Sequence, residues 1–349
     1  MPNTIDIYSP RTMGSVVRSM PPLMTFLRDR YFSRRQHYMT ERVDFDLVKG
    51  GRPMAPFVTY NGGAELMDKR GFETKTFTTP LLAPATLTTA EELLARMPGE
   101  AVYSGMSPEQ RAVRKLSEEL RDLRDSIDRR EEWMCAQLLT TGKIPVLGSQ
   151  INATVDVNFT NKGTAKVKWS ESNADIMGDM ALAQDTVFQT AFLNATDAIV
   201  GTAAAEYLLN NTKIQKLLDI RDFQLGRVEP KNLPQGVRYI GHLTSATMDM
   251  DIYTYNEHFQ DPTDGKLKPL IPAHKMIVLP KDMNAELAYG QHTWLDQRTQ
   301  KWYSDNSGRT PDAWVEKNPD RKMVAMYSRP LPVPKEVNAW YVMDVLDEQ

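Results

Sequence analysis

The chain has 349 residues, 41% of them hydrophobic and 25% charged, with a formal net charge of −3; this excludes a disordered polymer and leaves room for two cored domains. The slightly negative balance excludes a protein whose task is to grip nucleic acid through a basic face. A single cysteine, Cys135, excludes an internal disulfide framework and any all-cysteine metal site, and it reads as a small apolar residue on a helix face.

The first twenty residues carry Pro2, Asp6, Pro10, Arg11 and Arg18 and no apolar run of signal-peptide length. No stretch approaches the roughly 20 apolar residues of a membrane span, so a soluble chain with no membrane partner is expected. An N-terminal arm, residues 1–40, ends in a short amphipathic helix after Pro21 and Pro22, where Leu23, Met24, Phe26, Leu27, Tyr31 and Phe32 alternate with arginines. Leaving such side chains wet forfeits roughly 1.5 to 3 kcal/mol each, so they should dock on this subunit or a neighbour.

Residues 41–89 read as an extended β-finger. Val43, Phe45 and Leu47 alternate with Asp44 and Asp46, and Gly50, Gly51, Pro53, Asn61, Gly62, Gly63, Gly71, Pro80 and Pro84 punctuate the rest. An isolated two-stranded ribbon is marginal in water. Yet Phe57, Val58, Tyr60, Phe72 and Phe77 are too heavy an apolar load for a segment meant to stay solvated. A covering surface on another copy of the chain resolves the conflict.

A peripheral unit, residues 90–172, is built around a long helix over about 107–141. Ser107 is its N-cap, Pro108 its first residue, Gln110 completes a capping box and Gly142 ends it. At ~1.5 Å per residue the helix spans about 50 Å. Val113, Leu116, Leu120, Leu123, Ile127 and Met134 form a narrow seam, interrupted by Arg130. The pairs Arg114/Glu118, Lys115/Glu119, Arg121/Asp125 and Arg124/Asp128 fit intrahelical ion pairs on a wet face.

Ile151 to Val157 and Ala165 to Trp169 flank Asn161, Lys162 and Gly163 as an expected hairpin. Residues 173–322 have the mixed texture of a compact axial unit: helices near Ala174–Leu193 and Thr202–Leu218, and strands near Ala198–Val200, Val237–Leu243, Met248–Tyr255 and Met276–Leu279. Asp264 and Gly265 mark a turn. Within residues 323–349, Asn338–Leu346 is apolar on both faces and predicts a buried strand returning beside the long helix.

No phosphate loop, nucleophile elbow, paired-histidine zinc motif or EF-hand loop is present in the sequence. Asp249 and Asp251, with His258 or His274, are the one set that could suggest a metal-dependent hydrolase, but they alternate onto the outer face of a strand. His37, His242 and His292 have no acid or nucleophile at motif spacing. Neither a catalytic residue, a metal nor a cofactor is therefore expected.

The collinear order of particular residues resembles a known family. Phe26, Leu27 and Arg28 with Tyr31 and Phe32 are followed by Thr40, Glu41, Arg42 and Val43, then Met54 to Val58, Arg70 to Phe72 and Phe77 to Pro80. The likeness runs along the long helix to Gly142 and Lys143 and returns at Trp314, Pro319, Asp320, Ser328, Pro330 and Leu331. The chain resembles the major capsid proteins of tailed bacteriophages, in particular the lambda-like major head proteins. The resemblance implies an α+β chain of the Hong Kong 97-like capsid fold, with N-terminal arm, extended β-hairpin loop, spine helix, peripheral domain and axial domain.

It further implies self-assembly into hexamers and pentamers, an icosahedral shell around double-stranded DNA, assembly in the bacterial host cytoplasm and residence in the virion. Implied partners are a portal, a scaffold or protease and a small decoration protein. Phe26, Leu27, Tyr31, Phe32, Phe57, Val58, Tyr60, Phe72 and Phe77 are the candidate assembly contacts. Lys49, Lys69 and Lys75 lie in the finger, but no covalent crosslink between subunits is expected in the lambda-like group. Two competing readings are a hydrolase using Asp249 and Asp251, and a different virion protein that oligomerises as a coiled coil through Leu116, Leu120, Leu123 and Ile127.

Overall fold

The helices that follow Ser9, Thr89 and Ser107 each open on a side-chain cap from that hydroxyl. The computed structural model describes residues 8–21, 23–48, 54–60, 63–64, 66, 72–96, 100, 106–148, 151–212, 214–215, 233–261, 265–296, 300–317 and 321–347. Its helices include α1 (Pro10–Ser19), α2 (Leu27–Tyr31), α3 (Ala90–Leu94), α4 (Pro108–Thr141), α5 (Ile176–Ala191) and α6 (Thr202–Asn210).

α4 is the frame on which the rest is hung. The Ser107 hydroxyl accepts the Gln110 amide at 3.3 Å while the Gln110 side chain accepts the Ser107 amide at 3.0 Å, closing the capping box. At the other end Gly142 takes a left-handed φ of +69° and its N–H donates to the Leu138 carbonyl at 2.8 Å. A Cβ at that position would lie 2.3 Å from Cβ of Phe159, so glycine is required by backbone conformation and by space.

The seam of α4 is covered from within the chain. Leu116, Leu120, Leu123 and Ile127 pack with Met13 and Val17 of α1 and with Ala313, Val324 and Met326. The last three come from a three-stranded antiparallel sheet in the order Thr310–Glu316, Arg321–Tyr327, Ala85–Thr89. Arg124 donates to the Val17 and Met20 carbonyls at 2.9 and 2.6 Å, satisfying acceptors at the end of α1. Of the expected intrahelical pairs, Arg114–Glu118 closes to 3.1 Å, and Lys115–Glu119 and Arg124–Asp128 stand at 4.0 Å.

A six-stranded mixed sheet forms the second body, in the order Lys162–Thr164, Tyr341–Asp344, Lys275–Leu279, Asp197–Val200, Asp249–Tyr255, Val237–Thr244. α5 and α6 pack on one face around Met180, Ala183, Val187, Ala204 and Leu208. The other face meets α2, the C-terminal half of α4 and a small sheet of Arg34–His37, Ala285–Tyr289 and Pro330–Pro334.

Two expectations change. The hairpin partner of Ile151–Asp156 is Lys143–Gly148, because Gly142 turns the chain straight from α4 into an alternating strand. Lys162–Thr164 instead runs parallel to Tyr341–Asp344, and Gly163 lies so close to Tyr341 that a Cβ would meet its hydroxyl at 2.0 Å. The terminal strand thus enters the six-stranded sheet, while Trp340 at its start donates to the Leu139 carbonyl of α4 at 2.9 Å and stacks on Phe159.

Candidate assembly surface

The root of the arm is fixed by charge. Glu132 of α4, 2% exposed, accepts the backbone amides of Phe26, Leu27 and Arg28 at 3.1, 2.8 and 2.8 Å and the Tyr255 hydroxyl at 2.9 Å. Burial pushes its carboxyl up, and the Arg28 and Leu27 amides and the Tyr255 hydroxyl oppose that. Beside it Arg28 meets Asp128 at 3.0 Å, Glu131 at 3.1 Å and Asp29 at 3.1 Å. Arg309, arriving from the loop before Thr310–Glu316, forks onto Glu131 at 2.8 and 2.9 Å and also pairs with Asp128.

Burial alone would raise the Asp128 carboxyl, but the guanidinium groups of Arg309 and Arg28 hold it below its ordinary value. On the far side of α2, Asp197 accepts from Arg30 at 2.7 Å and from the Tyr31 hydroxyl at 2.8 Å. α2 is therefore pinned between α4 and the six-stranded sheet.

Sequence reasoning missed this node, having placed the α4 charges on a wet face. The signal was present: Glu131 falls four residues after Ile127 and three before Met134, on the seam itself, where an apolar residue belongs.

The node also decides where the candidate assembly residues go. Phe26, Leu27, Tyr31 and Phe32 are 3%, 0%, 1% and 1% exposed in the chain's own core. A carboxylate about a hundred residues away holds that segment down, a partner that local spacing does not announce. Phe77 is half-buried against Phe45 at 6.2 Å between rings, and of Phe72 only the strand position is described.

The finger itself is firm at its base and open beyond. Arg42–Val48 pairs antiparallel with Phe72–Thr78, Val43 and Phe45 are buried, and Arg329 reaches Glu41 at 2.8 Å. Gly290 lies where a Cβ would meet the Thr79 hydroxyl at 2.2 Å, so the finger base and the strand end at Tyr289 are in close contact. Further out, Phe57 and Tyr60 are fully exposed at 105% and 104%, with Val58 at 53%. Lys49, Lys69 and the turn residues Gly50, Gly51, Pro53, Asn61, Gly62 and Gly71 lie outside the described residues.

The competing sites do not assemble. Asp249 and Asp251 are engaged by His242 at 2.8 and 3.0 Å, His258 stands on another strand, and His274 lies 3.7 Å from Asp344. Among the described residues no group of three or more His, Cys, Asp or Glu is arranged to hold a metal ion. The coiled-coil seam is already occupied, since Leu116, Leu120, Leu123 and Ile127 are buried against this chain's own sheet and α1. Cys135 is fully buried, and burial pushes its thiol up.

The chain is 24% identical over 152 residues to the P21 prophage-derived major head protein of Escherichia coli O6:H1 and to the major capsid protein of Enterobacteria phage P21. That stretch covers 42% of this chain and 44% of each relative. The fold matches the crystal structure of a prophage capsid protein of E. coli CFT073 with a TM-score of 0.71 at 19% identity, over 96% of this chain and 98% of the other. A phage-related protein of Bordetella bronchiseptica follows at 0.52 and 8% identity, over 96% of both chains. The architecture is the Hong Kong 97-like phage capsid fold. A family model for phage major capsid protein E matches residues 9–345, and with nearly the whole chain matched, the protein belongs to that family.

Proposed function

We propose that this chain is the subunit of a phage head shell, assembling with copies of itself into hexamers and pentamers that close around double-stranded DNA. The observation that carries the reading is the finger: a clamped base leading to Phe57, Val58 and Tyr60, which this chain leaves uncovered. Fully exposed aromatics on one segment mark a contact awaiting a partner. Many copies of a modest contact sum to a stable shell by multivalency.

In this reading the chain performs no catalytic step, its work being done by surface complementarity, and it resides in the virion after assembly in the host cytoplasm. A portal, a scaffold or protease and a small decoration protein are the partners such a shell would meet. Subunits would associate without covalent crosslinks. Size-exclusion chromatography followed by negative-stain electron microscopy tests the reading. Rings of five or six, sheets or closed shells are expected; a fixed dimer or trimer that persists when the finger is removed would refute it.

A further inference from the structure

The two ends of the finger meet at one short stretch of chain. The Thr79 amide donates to the Glu41 carbonyl at 3.2 Å, and the Gln291 amide donates to the Thr40 carbonyl at 3.1 Å. Arg329, whose side chain is 15% exposed, holds the Glu41 carboxylate at 2.8 Å and donates to the Thr79 carbonyl at 3.5 Å. Its own carbonyl accepts the Gly290 amide at 2.9 Å. The next residue after Gln291 is His292, which opens a hairpin in which His292–Asp296 pairs antiparallel with Lys301–Asp305.

Rings join that hairpin to the three-stranded sheet. His292 stacks on Tyr327 with 4.5 Å between centroids and lies parallel to Trp294 at 5.7 Å. Nε2 of His292 and Nε of Arg329 are buried and have no hydrogen-bond partner among the described residues. A neutral imidazole can leave Nε2 as a bare acceptor, whereas the charged ring must carry an N–H there. A buried N–H without an acceptor is costly. The charged ring would also stand near Arg329, whose carboxylate partner Glu41 is already engaged. Asp305, opposite His292 in the hairpin register, favours the charged ring, but its oxygens already accept from the Ser307 amide and hydroxyl and the Thr310 hydroxyl. Asp312 is felt at the Tyr327 hydroxyl. Burial first and Arg329 second hold His292 below its ordinary value, with Asp305 opposing them.

We propose that His292 is a proton-operated release for the base of the finger. Neutral, it seats the hairpin against Tyr327 and leaves Arg329 clamping Glu41 and Thr79; charged, it repels Arg329 and loosens both contacts. The inference rests on the shell reading for its consequence, a finger whose angle answers to pH, and not for its test, which is read on the subunit itself. The seated ring lies below its ordinary value, so its contribution is complete above the released ring's value of about 6.5 and fades as pH falls below it. A ring that stays neutral when seated and titrates freely when released shifts the seating equilibrium about tenfold between pH 7.5 and pH 5.5.

Hydrogen exchange of the full-length chain, read by mass spectrometry and corrected for the intrinsic pH dependence of amide exchange, supplies the test. In wild type, protection of Arg42–Val48 and Phe72–Thr78 should fall at least threefold from pH 7.5 to pH 5.5 while α4 keeps its protection. His292→Phe retains a ring for the stack and takes up no proton, so its finger base should stay protected over the same range, although His37, His242, His258 and His274 are still present. Exchange of the imidazole C2 proton in wild type follows the His292 ring directly, should place its midpoint below about 6.5, and decides the matter alone if the variant fails to fold. Finger protection that ignores pH in wild type, an equal fall in α4 or in His292→Phe, or a His292 midpoint at or above that value overturns the release. Each of these outcomes leaves the shell reading standing, since that reading falls only if the wild-type chain forms no particles.

Discussion

Replacing Arg28 by methionine removes one cation from a node in which Arg28 and Arg309 contact both Asp128 and Glu131. Arg28 is 2% exposed and Glu131 fully buried, so Arg309 is left to balance Glu131 and Asp128, helped at Asp128 only by Arg124 at 4.0 Å. Breaking a buried pair from one side costs about 3–5 kcal/mol, chiefly because the remaining charge is stranded. Unfolding entropy of about 2.1 cal/mol/K per residue gives this 349-residue chain roughly 0.7 kcal/mol/K, and hence a fall in Tm of about 4–7 °C. Circular dichroism melting at pH 7 measures it. The stranded-charge argument makes a sharper demand: Arg28→Met combined with Glu131→Gln should recover part of the loss, because no lone carboxylate remains. Additive losses in the double variant would refute the reasoning, and so would a Tm unchanged by Arg28→Met alone.

Replacing residues 49–71 with a two-residue type I′ turn keeps both finger strands paired; Tm should stay within about 2 °C of wild type while particles vanish from micrographs. Gly142→Ala forces an L-residue into the left-handed region, costing about 1–2 kcal/mol, and pushes its Cβ against Phe159, so melting should fall by several degrees and the Phe159–Trp340 stack should loosen in near-ultraviolet dichroism. Asp128 titrates below its ordinary value in the folded chain, so its stabilising contribution is complete above the unfolded value and fades as pH falls through the folded one. The stability gap between wild type and Asp128→Asn, measured by urea unfolding, should therefore narrow from pH 7 to pH 3. Glu132, whose carboxyl is raised by burial, acts with the opposite sign, and Glu132→Gln should shift the profile the other way.

Local rules reached the parts of this fold that local chemistry controls. Ser107, Pro108, Gln110 and Gly142 placed α4 to the residue because capping depends on neighbours within one turn. Alternation likewise located the strand Asp249–Tyr255, and the strand expected near Met276–Leu279 is Lys275–Leu279. Partners distant in sequence were not legible. The pairing of Lys162–Thr164 with Tyr341–Asp344, and of Glu132 with the amides of Phe26 to Arg28, depends on how bodies pack. The same limit divided the candidate contacts. Apolar character marked Phe26 and Phe57 alike, and only the fold shows one inside the subunit and the other facing outward.

The division has a physical logic. A buried ion cluster contributes less net stability than its contact list suggests, because desolvation opposes each attraction. What it does impose is geometry: if α2 rotates or slides on α4, Arg28 leaves Asp128 and Glu131, and three backbone amides lose Glu132. Apolar contacts alone would tolerate such slippage at small cost, since volume-conserving repacking is cheap. The arm, α4 and the six-stranded sheet are thus held in one relation by groups that have few alternative partners. The finger leads from this frame to Phe57 and Tyr60, which the chain leaves exposed. A shell closes only if each subunit presents its contacts at a reproducible angle, and in the proposed function the node's part is to hold α2 in one seat on α4.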